Sequence, residues 1–235
     1  MMRHLLPLLA LLCVLDLFGQ GEPMRRPATS TEYWMSAGVE VKPFRKPSGR
    51  IFEKRFFRKF RSYVELGYRS QENITDSRLL YTTIGGRYRE NKHLAFGLDY
   101  RYNWRDRFSR NTGRIDGQVT LSEEFGDFEA DYRINYQHEF TEIDELRSVI
   151  RNRVQVEYNA PKFPLDPVAS VEVFNALDPQ VKGVIGMRYT LSVKFDLGKD
   201  HDFEVGIRHD REQGIPDPRY RYIFLVAYEH TLRWD

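Results

Sequence analysis

Residues 93–105 read His93-Leu94-Ala95-Phe96-Gly97-Leu98-Asp99-Tyr100-Arg101-Tyr102-Asn103-Trp104-Arg105. Leu94, Phe96, Leu98, Tyr100, Tyr102 and Trp104 share one parity; Asp99, Arg101, Asn103 and Arg105 share the other. A period of two over this length is a β-strand whose two faces meet different surroundings. About ten residues is also what a tilted strand needs to cross a bilayer. The pattern recurs. Residues 128–140 set Phe128, Ala130, Tyr132, Ile134, Tyr136, His138 and Phe140 against Glu129, Asp131, Arg133, Asn135, Gln137 and Glu139. Nine stretches alternate in this way, and in most of them the polar face is crowded with charge. An apolar outside around a charged lumen is the signature of an outer-membrane barrel.

The strands expected from this pattern cover residues 33–42, 62–70, 78–89, 93–105, 114–122, 128–140, 149–159, 168–176, 184–197, 203–210 and 221–234. Tight connections (90–92, 123–127, 198–202) alternate with longer ones (71–77, 106–113, 140–148, 177–183, 211–220). Bacterial barrels place short turns in the periplasm and longer loops outside. If the last strand runs down into the periplasm and the first runs up from it, one downward strand is missing. Residues 50–60 are the candidate, although their alternation is poor. The expected fold is therefore an all-β, transmembrane, antiparallel up-and-down barrel of twelve strands, with ten as the alternative. It would occupy residues 33–235, behind a signal peptide at 1–21 and a periplasmic lead at 22–32.

The bulk properties agree. Charge is nearly balanced, with 36 basic and 34 acidic residues among 235, so nucleic acid is not an expected partner. Mean hydropathy is −0.59, and beyond the N-terminus no run is long and apolar enough for a membrane helix. Arg3 and His4 precede an apolar Leu5–Val14 core, and Gly19-Gln20-Gly21 offers small residues for cleavage. The single cysteine, Cys13, lies inside this segment behind Leu12. Lipidation requires a small residue there, so none is expected. The mature chain would hold no disulfide and no cysteine metal site. Location is thereby expected to be the outer membrane of a Gram-negative bacterium.

Trp34 opens the first strand, Trp104 ends an upward strand and Trp234 ends the last. All three are read as interfacial anchors, since an indole is apolar with one polar handle. The last strand carries Tyr222, Phe224, Val226, Tyr228, His230, Leu232 and Trp234 on one face. Such a terminal strand is similar to the signal read by the barrel assembly machinery, here followed by Asp235.

Trp34-Met35-Ser36-Ala37-Gly38-Val39-Glu40, Ile84-Gly85-Gly86-Arg87-Tyr88-Arg89 and Leu98-Asp99-Tyr100-Arg101-Tyr102 carry a further likeness. From Tyr33 onward the chain resembles a family of Bacteroidota outer-membrane barrels of about this length known only as a domain of unknown function. The resemblance implies fold and location and carries no catalytic motif.

The lumen-facing charges expected from parity are Arg87, Arg89, Asp99, Arg101, Asp116, Glu129, Asp131, Arg133, Arg151, Arg153, Glu157, Arg188, Lys194, Glu204, Arg208, Glu229 and Arg233. They can pair with one another and fill the interior, or line a hydrophilic path for small solutes. Residues 42–61 hold nine Lys or Arg with interleaved Phe. Arg45, Lys46 and Arg50 are candidate contacts for lipopolysaccharide phosphates; a solvated loop is the plainer reading. No GxSxG, HExxH or paired-histidine spacing occurs, and no cofactor or metal is expected. The expected function is non-enzymatic: a structural or small-solute barrel, or a subunit of an envelope complex with protein partners. The alternative is a lipid-modifying hydrolase at the outer rim, for which Ser109, His209 and Asp210 supply the residue types.

Overall fold

The computed structural model describes residues 27–42, 56–71, 76–105, 110–140, 148–159, 161, 164–177, 182–215 and 217–233. The signal-peptide segment, Arg45, Lys46, Arg50, Ser109 and Trp234 lie outside the described residues.

Eleven strands are found among them: β1 (Ala28–Lys42), β2 (Phe60–Ser70), β3 (Ser77–Arg89), β4 (Leu94–Arg105), β5 (Thr112–Phe125), β6 (Phe128–Phe140), β7 (Ser148–Tyr158), β8 (Asp166–Leu177), β9 (Lys182–Asp196), β10 (His201–Glu212) and β11 (Arg219–Arg233). Each pairs with its sequence neighbour, and β1 closes the barrel against β11. Neighbours in sequence pair antiparallel, with register shifts at Arg69/Ser70 and Phe174/Asn175. No helix among the described residues is long and apolar enough to cross a membrane.

The strand count of twelve is corrected by the closure. β1 pairs with β11 in parallel, from Ala28 opposite Arg219 to Lys42 opposite Arg233. The expectation assumed that the first strand begins at the end where the last one finishes. It begins instead where β11 begins, so no strand is missing. An even number is required only when every pair is antiparallel; one parallel pair closes an odd barrel. Residues 56–59, part of the candidate extra strand, form a single helical turn. Phe56 stacks on Phe60 and on Tyr88, both at 5.3 Å between ring centroids. Lys59 donates to the Glu90 carbonyl and pairs with its carboxylate at 3.1 Å. Aromatic and ionic anchoring to the β3–β4 turn holds this piece where alternation is absent. β1 also starts at Ala28, so residues 28–32 belong to the barrel and not to the lead.

We call the end where β1 and β11 begin the upper end. The upper connections are 71–76, 106–111, 141–147, 178–181 and 213–218; the lower ones include the short 90–93, 126–127 and 197–200. Segment 43–59 joins the lower ends of β1 and β2.

Alternation sorts the faces as parity predicts. Leu66, Leu98 and Leu191 are 59, 61 and 60% exposed on the outside, among Val64, Ile84, Val119, Ile134, Val205, Ile207 and Val226. Aromatics flank this aliphatic band at both ends. Near the lower end Phe195 stacks on Phe203 at 5.6 Å, and Phe203 lies 4.8 Å from Tyr228. Near the upper end Tyr33 stacks on Phe224 at 5.3 Å across the parallel seam, and Trp104 packs edge-on against Tyr102 at 5.1 Å. The inside is polar: Glu32, Glu40, Asp116, Glu172 and Asp210 are buried there. Gly67 on β2 sits opposite Tyr81 on β3. A Cβ at Gly67 would come within 2.0 Å of the Tyr81 ring, so only glycine lets that ring lie flat across the strand.

Candidate functional site: the charged interior

The interior holds an upper cavity of about 710 Å³ and a lower one of about 590 Å³. A smaller space of about 160 Å³ lies beside them, lined by Asp99, Arg101 and Asp116 among others. Every strand contributes side chains of one parity, so the lattice of charge is set by the barrel's register.

The upper cavity is organised around Glu172 on β8. Arg151 on β7 grips it with two guanidinium nitrogens, each 3.1 Å from a carboxylate oxygen. Arg188 on β9 donates to it at 3.4 Å, and Arg133 on β6 stands 3.9 Å away. Arg188 also holds Asp210 on β10 through two bonds of 2.7 Å. Arg221 on β11 lies 3.9 Å from Asp210 and 2.7 Å from Glu212. The chain of pairs thus runs across six consecutive strands. Bidentate Arg–carboxylate geometry fixes both planes, which gives such a lattice directional rigidity.

Trp34 is the second focus. It was expected at the membrane rim; the structure corrects this and buries it, 6% exposed, on the inner wall. Two causes act together. Tyr33, Met35 and Val39 face out, so Trp34 has the opposite parity. β1 starts six residues earlier, so Trp34 is not at a strand end. Its indole Nε1 donates to Glu32 at 2.8 Å, and Glu32 pairs with Arg78 at 2.9 Å. Three guanidiniums surround the ring: Arg69 at 3.9 Å, Arg208 at 5.1 Å and Arg188 at 5.2 Å from its centroid. Tyr81 also carries two cations, Arg101 at 4.0 Å and, shared with Trp34, Arg69 at 5.1 Å. Arg101 is further bonded to Thr83 at 2.9 Å and to Glu65 at 3.4 Å.

Arg87, Arg89, Glu129, Asp131, Arg153, Lys194, Glu204 and Glu229 line the lower cavity, joined by Arg133 from above. Asp131 accepts from Ser122 at 2.5 Å. Glu157 is paired with Lys194. Arg87 covers the Tyr63 ring at 4.7 Å. Arg233 sits at the lower rim, half exposed, 2.7 Å from Asp200. The two cavities differ in charge. The lower wall carries six carboxylates and five cations. The upper wall carries eleven Arg and four Glu.

Glu172, Arg69, Glu65, Arg114 and Trp34 belong to this interior and were not among the expected lumen residues. Glu172 had a usable signal: it is the one acidic residue inside the apolar run Val171-Glu172-Val173-Phe174. Arg69 and Glu65 share parity on β2 and were legible by the same rule. Trp104 is 44% exposed on the outside, near the upper end of β4.

The chain matches the profile of a family described as "Protein of unknown function (DUF2490)" over residues 32–221. It belongs to the DUF2490 family. No curated protein and no solved structure matches it. The matched span, Glu32 to Arg221, includes Trp34, the Glu172 cluster and the lining of both cavities except Leu225, Ala227, Tyr228 and Glu229.

Of the residues considered for hydrolysis, His209 and Asp210 are described, and they face opposite sides of β10. Asp210 points inward onto Arg188, whereas His209 stacks on Tyr222 at 4.6 Å on the outside. A different serine–histidine contact occurs instead: His138 Nδ1 lies 2.8 Å from Ser148 Oγ on the outer face. The Tyr136 hydroxyl stands 3.3 Å from the same serine. No carboxylate among the described residues contacts His138.

Proposed function

We propose that this DUF2490 chain is an integral outer-membrane barrel of a Gram-negative envelope, non-enzymatic, whose lumen holds or passes small solutes. The observation that carries the reading is the aliphatic outer band, flanked by aromatics, around a charged interior. A patch of that extent on a water-soluble monomer would be far above what solvent tolerates. A twelve-residue strand tilted by about 40–45° rises by roughly 26–28 Å, which matches the apolar band of bacterial barrels.

In this reading the short turns and the end of β11 face the periplasm, and the upper cavity opens outward. The end of β11 then presents the signal for the assembly machinery. β1 ends and β2 begins at the lower end; Arg45, Lys46 and Arg50, between them in sequence, lie outside the described residues.

The test is flotation of refolded mature protein with vesicles of phosphatidylethanolamine and phosphatidylglycerol, with heat-dependent gel mobility as the sign of a folded barrel. Flotation of a heat-modifiable band is expected. A folded protein that stays in the aqueous fraction overturns the reading. Planar-bilayer current then separates the two forms of the lumen: ohmic steps indicate a connected path, silence a closed pair of chambers.

One observation favours the hydrolase alternative, the Ser148–His138 contact on the lipid-facing side. A nucleophile beside a base is the minimum for acyl transfer, but among the described residues no carboxylate orients the imidazole. Acyl release from phospholipid micelles is therefore expected to be at background and unchanged in Ser148→Ala. Turnover abolished by that substitution would put the hydrolase first.

A further inference from the structure

The upper cavity contains more positive charge than its own carboxylates neutralise. Eleven arginines face four glutamates on its wall. Four further carboxylates lie against those arginines: Glu32 on Arg78, Asp116 on Arg114, Asp210 on Arg188 and Glu212 on Arg221. Three cations are left over. Arg69, Arg153 and Arg208 have no carboxylate within ion-pair distance among the described residues. Arg208 donates to the Thr190 hydroxyl at 3.1 Å, and Arg69 rests on the Trp34 and Tyr81 rings. The Nε atoms of Arg69 and Arg153 are buried without a hydrogen-bond partner.

A protein interior does not ordinarily gather uncompensated guanidiniums. Like charges repel more strongly where water is scarce, and a buried donor without an acceptor keeps its desolvation cost. Arg69 and Arg208 nevertheless approach one indole from within 3.9 and 5.1 Å. Trp34 is itself held by Glu32, so the ring is a fixed platform. The rigid carboxylate ties of Arg188 keep a third cation beside it.

We infer that the upper cavity is a binding site for a small multivalent oxyanion, held by Arg69 and Arg208 beside Trp34 and by Arg153 on the same cavity wall. Phosphate and carboxylate groups both fit the guanidinium fork, which can give two parallel bonds to either. A volume of about 710 Å³ lies in the range of pockets that enclose a small organic ligand. The site deepens the small-solute reading and names its substrate class; it requires the closed barrel but not conduction.

The experiment is calorimetric titration of the detergent-folded protein at low salt with pyrophosphate, citrate and acetate. Saturable binding of pyrophosphate or citrate, with acetate far weaker, is expected. Whichever of the two saturates assigns phosphate or polycarboxylate chemistry. Arg69→Gln combined with Arg208→Gln should weaken binding by about tenfold or more, because two charge-assisted contacts are lost. Glu204 lines the same cavity. Glu204→Gln should tighten binding by about two- to fivefold by removing like charge. A misfolded variant cannot mimic that opposite sign. Absence of saturable heat, or a double variant within about twofold of wild type, a spread smaller than one lost charged contact, overturns the inference. Saturable binding by a protein that fails to float on vesicles would keep the site and remove the membrane reading; flotation without binding would do the reverse.

Discussion

Glu172→Gln is expected to lower the stability of the barrel by about 3–5 kcal/mol, the cost of removing one partner from a buried ion cluster. The size follows from what the carboxylate does. It is 3% exposed and lies between Arg133, Arg151 and Arg188. Glutamine keeps the volume and one acceptor but offers an amide N–H₂ to a guanidinium, so one contact turns repulsive. Three like charges then face one another across β6, β7 and β9. Arg188 retains Asp210, which limits the loss; Arg151 retains a bond to Gln137 at 3.2 Å, which does not neutralise it. The measurement is the guanidinium midpoint of the heat-modifiable band. A midpoint within error of wild type would show that lumen water screens the cluster and that Glu172 is not its centre. Glu172→Gln paired with Arg151→Met should recover part of the loss, because the second substitution removes the stranded charge.

Leu98→Arg is expected to cost about 2–4 kcal/mol of insertion, the figure for a cation at the midplane of a lipid-facing strand. Leu98 sits midway along β4, opposite Gly86 and Gly117 on its neighbours, and is 61% exposed. Arg101, three residues on, has the other parity and is bonded to Thr83 and Glu65. Arg101→Leu leaves the half-buried Glu65 without its partner and should cost about 1 kcal/mol, while still floating with vesicles. The two variants thus separate by readout as well as by size: the first fails to float, the second floats and unfolds at lower denaturant. Equal flotation of both would remove the argument that the two faces meet different solvents.

Much of this molecule was legible in its residues. Period-two alternation located eleven strands within a few residues, and residues 128–140 coincide with β6 end to end. This succeeds because the period of a strand is local: whether a side chain points in or out depends on the pleat alone. The same rule put Arg133, Arg151, Arg153 and Arg188 on a common polar face without any knowledge of their neighbours.

The failures share a cause as well. Trp34 was placed by its residue type and not by its parity, and the strand start at Ala28 was hidden because Thr29, Ser30 and Thr31 carry no apolar signal. The direction of β1 is a matter of which strand it meets, and β11 lies some 190 positions away in sequence. Nothing in Ala28–Lys42 encodes parallel rather than antiparallel pairing, so an extra strand in 50–60 was inferred from a rule about closure. Glu172 appeared as one acid in an apolar run. Its role exists because strand pairing sets β7 and β9 on either side of β8 and β6 follows next in the barrel wall.

By itself, then, the sequence determined that this is an all-β chain of long alternating strands with an apolar face and a charged one, because those are properties of neighbouring residues. Only the tertiary structure decided the odd closure, the guanidiniums gathered around Trp34 and the excess of arginine in one chamber. Charge balance inside a barrel is a sum over side chains from every strand, and that sum is taken in space and not along the chain.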